Sequence, residues 1–196
     1  MQGRTRVMME GTIIAALAIT LSMLPTNIGS SFTISLGQIP LTIFALRRGL
    51  KPGLMAGFIW GIIHFPLGQI YFLSVPQVLI EYLLAFLFAG FAGLYANPLK
   101  QAIAESNQGK ALQAIVLGGL VGALARFFWH FVAGWIFWGS YALWGMSPAV
   151  FSLVMNGISG LATGAVTIVV TIILYKMVPK LFIPTDSFAI KTENSK

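Results

Sequence analysis

Long apolar runs, broken by short polar or glycine-rich interruptions, dominate the chain. Six such segments fall at about 10–25, 36–47, 52–67, 75–96, 111–138 and 148–178. A helix needs roughly 20 apolar residues to cross a bilayer. The last three segments are long enough to cross at a tilt, whereas the second and third are short. Between these two lies "LRRGLKPG", where Arg47, Arg48, Gly49, Lys51 and Pro52 mark a tight basic turn. The pattern predicts an all-α fold, a bundle of six transmembrane helices. One integral membrane domain is expected over 1–182, followed by a polar cytoplasmic tail over 183–196.

Charge placement gives this bundle a direction. Arg4 and Arg6 precede the first segment, and Arg47, Arg48 and Lys51 separate the second from the third. Lys100 and Lys110 lie between the fourth and fifth, and Lys176, Lys180, Lys191 and Lys196 follow or end the sixth. The other connections, "TNIGSSFTISLGQ", "PLGQIYFLSV" and "GSYALWGMSP", carry no charge. Six crossings with both termini in the cytoplasm place every basic cluster inside. The start "MQGRTRVMMEGTIIAALAIT" is basic then apolar, but no small-residue cleavage site follows, so it is read as the first membrane helix.

Composition fits. The chain is 57% hydrophobic and only 9% charged, against about 25% charged residues in soluble domains. Its partner is therefore the lipid bilayer, and the net charge of +7 reports topology rather than nucleic-acid binding. With no cysteine there are no disulfides, thiolate metal sites or cysteine nucleophiles. No G-x-x-x-x-G-K-[ST] loop is present, so ATP hydrolysis is not expected of this chain, nor is a metal or other cofactor. Small residues recur at four-residue spacing in Gly11/Ala15, Gly53/Gly57/Gly61, Gly118/Gly122 and Gly160/Gly164. They serve either close helix packing within the chain or docking to another membrane subunit.

Ionisable residues within a membrane are costly and tend to face a cavity or a partner. Here they are Glu81, Arg126 and His130, joined by the amide of Asn156. Counting 1.5 Å per residue from the uncharged ends puts Glu81 and Trp60 roughly 9 Å deep and His130 and Asn156 roughly 12 Å deep. Arg126 lies one turn below. His130, Gly134 and Trp138 share one helix face, with Gly134 leaving a gap between two rings, and Tyr82 stands beside Glu81. An acid, aromatic faces and hydrogen-bonding groups around a gap suit a small aromatic cation. Glu81 could instead pair with Arg126. Trp135 and Trp144 read as an interfacial aromatic belt.

The strings "LRRGLKPGLMAGFIWG", "QVLIEYLLAF", "RFFWHFVAGWIFWGSYA" and "MNG", in this order, resemble the thiamine-specific substrate-binding subunit of energy-coupling factor (ECF) transporters. The resemblance runs from about residue 8 to 180, and Glu81–Tyr82 and His130-x-x-x-Gly134-x-x-x-Trp138 are its most specific parts. It implies a six-helix protein of the bacterial plasma membrane that binds thiamine near the outer surface. It also implies partners, namely a transmembrane coupling subunit and two cytoplasmic ATPases. Carried residue by residue, it implies a site lined by Trp60, Glu81, Tyr82, His130, Gly134, Trp138 and Asn156. Phe151 stands where the family often has tyrosine. Phe32 is the one aromatic in the first loop that could act as a lid. Gly11 and Ala15 are the small pair nearest the family's docking motif.

Three other functions stay open on the sequence. The same fold could bind another vitamin or a thiamine precursor. A self-contained secondary transporter or channel would want paired acids along a pore or recognisable repeat halves, and neither is evident. An intramembrane enzyme could use Glu81 and His130 as acid and base, but no nucleophile accompanies them.

Overall fold

The structure, a computed structural model, describes residues 2–28 and 32–184. The polar tail beyond Pro184 lies outside the described residues. Six helical segments follow one another: α1 (Gln2–Ser22), α2 (Gln38–Arg48), α3 (Leu50–Ile63), α4 (Val75–Ala104), α5 (Gln108–Phe137) and α6 (Pro148–Met177). Two short strands, β1 (Asn27–Ile28) and β2 (Phe32–Thr33), pair antiparallel between α1 and α2, with Ile28 opposite Phe32.

The long helices start where capping chemistry allows. Asn107 accepts from the Lys110 amide at 3.1 Å ahead of α5, and Ser147 caps α6, which has Pro148 at its first position. The fourth segment runs further than its apolar run suggested, to Ala104 rather than about 96. A tighter 3₁₀ stretch over Ala89–Tyr95 lets the α-helix restart at Ala96. Pro98 then falls in a first turn, where its missing N–H costs little. α1 likewise begins at Gln2, well before residue 10.

α1, α4, α5 and α6 are long and apolar enough to cross a membrane. α2 and α3 are not, at roughly 16 and 21 Å against about 30 Å of hydrocarbon. α2 is instead surrounded by protein. Gln38 and the run from Pro40 to Leu46 are all buried. The extended chain before it is accommodated by side-chain hydroxyls of α6. Thr33 N–H donates to Ser159 Oγ at 3.1 Å and Ser35 N–H to Thr163 Oγ1 at 3.0 Å. Irregular backbone at membrane depth survives only when its polar groups are met in this way.

The small-residue repeats are spent on packing inside the chain. A side chain at Gly57 or Gly61 would collide with the Phe86 or Tyr82 carbonyl of α4, so α3 and α4 touch backbone to backbone. Gly118 and Gly122 do the same for α5 against Ala92 and Ala89, and Gly160 seats Phe127.

All the described basic clusters meet at one end. Arg48 grips the Glu10 carboxylate with two bonds of 2.7 Å, and Arg6 and Arg47 join it at 3.4 and 3.8 Å. Arg47 also donates to the Leu181 and Ile183 carbonyls at 2.7 and 2.9 Å. This folds the chain after α6 back under the bundle, with Phe182 fully buried beside Leu99 and Ile115.

Candidate functional site

At the opposite, uncharged end, a cavity of about 690 Å³ opens between α4, α5 and α6. Glu81 reaches it from α4, His130, Gly134 and Trp138 from the α5 end, and Phe151 and Asn156 from α6. Its rim is formed by Tyr71 and the connection from Ser140 to Leu143.

Glu81 sits in a π-helical turn, Leu79–Leu84, where α4 carries an extra residue per turn. Such bulges re-aim side chains and are frequent at functional sites. One carboxylate oxygen accepts the Trp138 indole N–H at 2.7 Å, and the other accepts from the Gln77 amide. Fully buried Gln77 is the hub of this arrangement. It also donates to the Tyr71 carbonyl at 3.0 Å and accepts from the Leu73 N–H at 3.1 Å. The Tyr82 hydroxyl accepts the Tyr71 N–H at 2.9 Å, so two side chains of α4 fasten the 71–73 segment over the cavity. The Tyr71 and Tyr141 rings flank Trp138, with centroids 5.0 and 5.4 Å away.

On the far wall, Gly134 admits α6 to close range. A Cβ there would run into the Ser152 hydroxyl and the Asn156 amide. The gap expected at Gly134 is therefore filled from α6. Ser152 Oγ donates to the Phe131 carbonyl at 2.7 Å and receives the Asn156 amide at 3.1 Å. His130 stands one turn below Gly134, edge-on to Phe86 at 6.0 Å.

The remaining expected residues lie elsewhere. Trp60 is fully buried beneath the cavity, edge-on to Phe86 at 4.5 Å, and does not line it. Its neighbour is Arg126, whose guanidinium lies 4.4 to 5.3 Å from the Phe86, Trp60 and Phe127 ring centres and 3.4 Å from Gln38. Glu81 makes no bond to Arg126, which rules out the structural ion pair. Tyr82 acts through its hydroxyl on Tyr71 rather than as a wall. Phe32 lies in the strand held along α6 and is not among the residues around the cavity, whose rim includes Tyr71. Gly11 and Ala15 point inward. Ala15 is fully buried, and a side chain at Gly11 would meet Phe44 and Ala56, so the pair packs α1 onto α2 and α3. Trp135 and Trp144 are 52% and 72% exposed, as an aromatic belt requires.

Tyr71, Gln77, Ser140, Tyr141, Ser152 and Met155 were not anticipated. Only Ser152 carried a signal, being one turn before Asn156 on the same face.

The site thus holds one carboxylate with no cationic partner among the described residues, ringed by indole and phenol faces. That is a receptor for a small, flat, positively charged molecule entering from the uncharged side. A helical membrane bundle with an outward-facing ligand cavity defines a solute-capturing membrane protein. Comparison with known proteins specifies it further. The family model described as "Thiamine transporter protein" matches residues 8–183. The chain is 38% identical over 191 residues to the thiamine transporter ThiT of Lacticaseibacillus paracasei, covering 95% of each. It is 27% identical over 149 residues to ThiT of Bacillus subtilis, covering 76% of this chain and 78% of that one. The solved structure of ThiT from Listeria monocytogenes superposes with a TM-score of 0.90 at 43% identity, covering 93% of this chain and all of that one. The chain belongs to the thiamine transporter family and is a multi-pass protein of the bacterial cell membrane.

Proposed function

We propose that this chain captures thiamine from outside the cell and is the substrate-binding subunit of an ATP-driven uptake system. The single observation that carries the reading is the Glu81 carboxylate, fixed by Trp138 and Gln77 at the mouth of an aromatic cavity and, among the described residues, paired with no cation. Thiamine has a permanent positive charge and two aromatic rings, and burying that charge requires a replacement for its hydration. Glu81 supplies the counter-charge, and Trp138, Tyr71 and Tyr141 supply ring faces. Asn156, Ser152 and His130 offer hydrogen bonds to the neutral ring, and Phe151 closes the wall.

The energy source belongs to partners. The chain has no phosphate-binding loop of the Walker type, so a transmembrane coupling subunit and two cytoplasmic ATPases would drive release inward. Met9, Ile13 and Leu17 give α1 an exposed apolar face on which such a subunit could rest.

Titrating thiamine into the purified chain, while following tryptophan fluorescence and heat, tests the reading. Stoichiometric quenching that is lost in Glu81→Gln supports it. Proteoliposomes holding this chain alone that accumulate thiamine against a gradient would overturn the need for partners.

A further inference from the structure

A second hollow lies at the basic end, away from the thiamine cavity. Between the inner halves of α1 and α3 a groove of about 590 Å³ opens. Its walls are two rows of residues, Arg4, Met8 and Gly11 on α1 and Lys51, Met55 and Ile59 on α3. Residues three or four apart share a helix face. Both helices start at the basic end, so the rows run in step, with a cation at the mouth and a methionine one turn in. The groove closes where α1 meets Ala56 at Gly11. From Arg4 to Gly11 that is roughly 10 Å of depth.

The two cations differ from their neighbours. Arg6, Arg47 and Arg48 converge on Glu10. Arg4 and Lys51 are exposed, and among the described residues no carboxylate pairs with either. Two uncompensated charges at the cytoplasmic headgroup level, above a wall of methionine and isoleucine, complement a molecule that is anionic at one end and greasy at the other. Basic clefts between membrane helices on that side recognise acidic lipid headgroups. Methionine walls adapt to a flexible chain.

We propose that this groove binds one anionic phospholipid of the cytoplasmic leaflet. Its phosphodiester sits between Arg4 and Lys51, and the first part of an acyl chain lies along Met8 and Met55. The lipid fills the space that α1 and α3 leave open before they touch, and ties the first helix to the rest of the bundle.

The test uses the full chain in neutral detergent, titrated with short-chain phosphatidylglycerol or phosphatidylcholine, with bound lipid counted by native mass spectrometry. One phosphatidylglycerol per chain should be retained in preference to phosphatidylcholine. The double variant Arg4→Gln/Lys51→Gln should hold it about thirty-fold more weakly, with helical content and unfolding temperature in lipid-free detergent unchanged. Met55→Trp, which fills the groove and keeps both charges, should also weaken it and decides the matter if the double variant folds poorly. Equal retention of the two lipids would overturn the proposal, as would undiminished binding in either variant. Displacement by glycerol 3-phosphate as effectively as by the lipid would make this a free-anion site instead. A photo-crosslinker at Met8 that captures protein rather than lipid in native membranes would assign the groove to a partner subunit and likewise overturn it.

Discussion

Trp138 reaches from the end of α5 to donate its indole N–H to Glu81 at 2.7 Å. A ring suited to stack on a cation and the acid suited to neutralise it are thereby locked together before any ligand arrives. Preorganisation of this kind lowers the cost of binding.

Glu81→Gln is expected to weaken thiamine binding about ten- to a hundred-fold, since a charge-assisted contact is worth roughly 1.5–3 kcal/mol. Glu81 pairs with no arginine, but a Gln can accept only one of the two N–H bonds its carboxylate takes, so the unliganded protein should melt slightly below wild type. Calorimetry and thermal unfolding on one preparation check both halves; early melting with normal affinity would defeat the counter-charge role. Trp138→Ala should weaken binding comparably, and Trp144→Ala, at an exposed ring, should barely change it.

Gln77→Leu should act without touching ligand. It leaves the Leu73 N–H and Tyr71 carbonyl without their partner and frees one oxygen of Glu81. An unsatisfied buried polar group costs about 1–3 kcal/mol, so both the unfolding temperature and thiamine affinity should fall. An affinity equal to wild type would show that the 71–73 segment is not part of the site.

Gly61→Ala should be severe, because the added methyl meets the Tyr82 carbonyl. The clash is with backbone and cannot be relieved by a rotamer change; overpacking costs about 1–3 kcal/mol or more. It should also distort the π-helical turn and so weaken binding. Gly109→Ala, in the first turn of α5 with only Asn107 Oδ1 nearby at 3.6 Å, should be neutral or mildly stabilising. Comparing the two unfolding temperatures is the check.

Arg126→Met should cost about 1–2 kcal/mol, in the lower part of the range for a buried polar group left unsatisfied, because Gln38 loses a donor only through a long bond. Removing one member of a buried ion pair strands the other, but a buried charge without such a pair can be replaced by an apolar side chain of similar size at little cost. Here the losses are ring contacts and a 3.4 Å bond to Gln38. A fall in unfolding temperature as large as that of Gly61→Ala would contradict this.

Topology is testable with single cysteines, since the chain has none of its own. Arg48 is a poor inner reporter because its side chain is 4% exposed and bound to Glu10. Lys110, 65% exposed, serves better. In intact cells an impermeant thiol reagent should label Tyr141→Cys and spare Lys110→Cys.

Depth along a helix was legible in the sequence, because the uncharged loops mark where each segment starts. It brought Glu81, His130 and Asn156 to one cavity. Direction around the helix was not legible, and Trp60, at the same depth, turns inward to Phe86 and Arg126. Gly134 read as a gap because the sequence could not show that Ser152 would fill it. The rim residue Tyr71 escaped the sequence for a related reason. Tyr71 lies in irregular chain whose position depends on bonds to Tyr82 and Gln77, and no periodicity encodes those. The second segment was rightly read as short, and the structure supplies the reason: α2 is enclosed by protein rather than facing lipid.

That enclosure bears on how the chain enters the membrane during synthesis. α2 is flanked by Arg47 and Arg48 and turns directly at Gly49, with φ at +97°, into a helix too short to span alone. Neither is a self-sufficient insertion unit on length. The pair would be threaded as one hairpin and stay marginal until α4 emerges to cover the glycine face of α3. A reporter fused after Ile63 should therefore give a mixed orientation, and one fused after Ala104 a single one. The fourth helix, whose π-helical turn carries Glu81, would then also be the element that settles how the preceding half of the protein lies in the membrane.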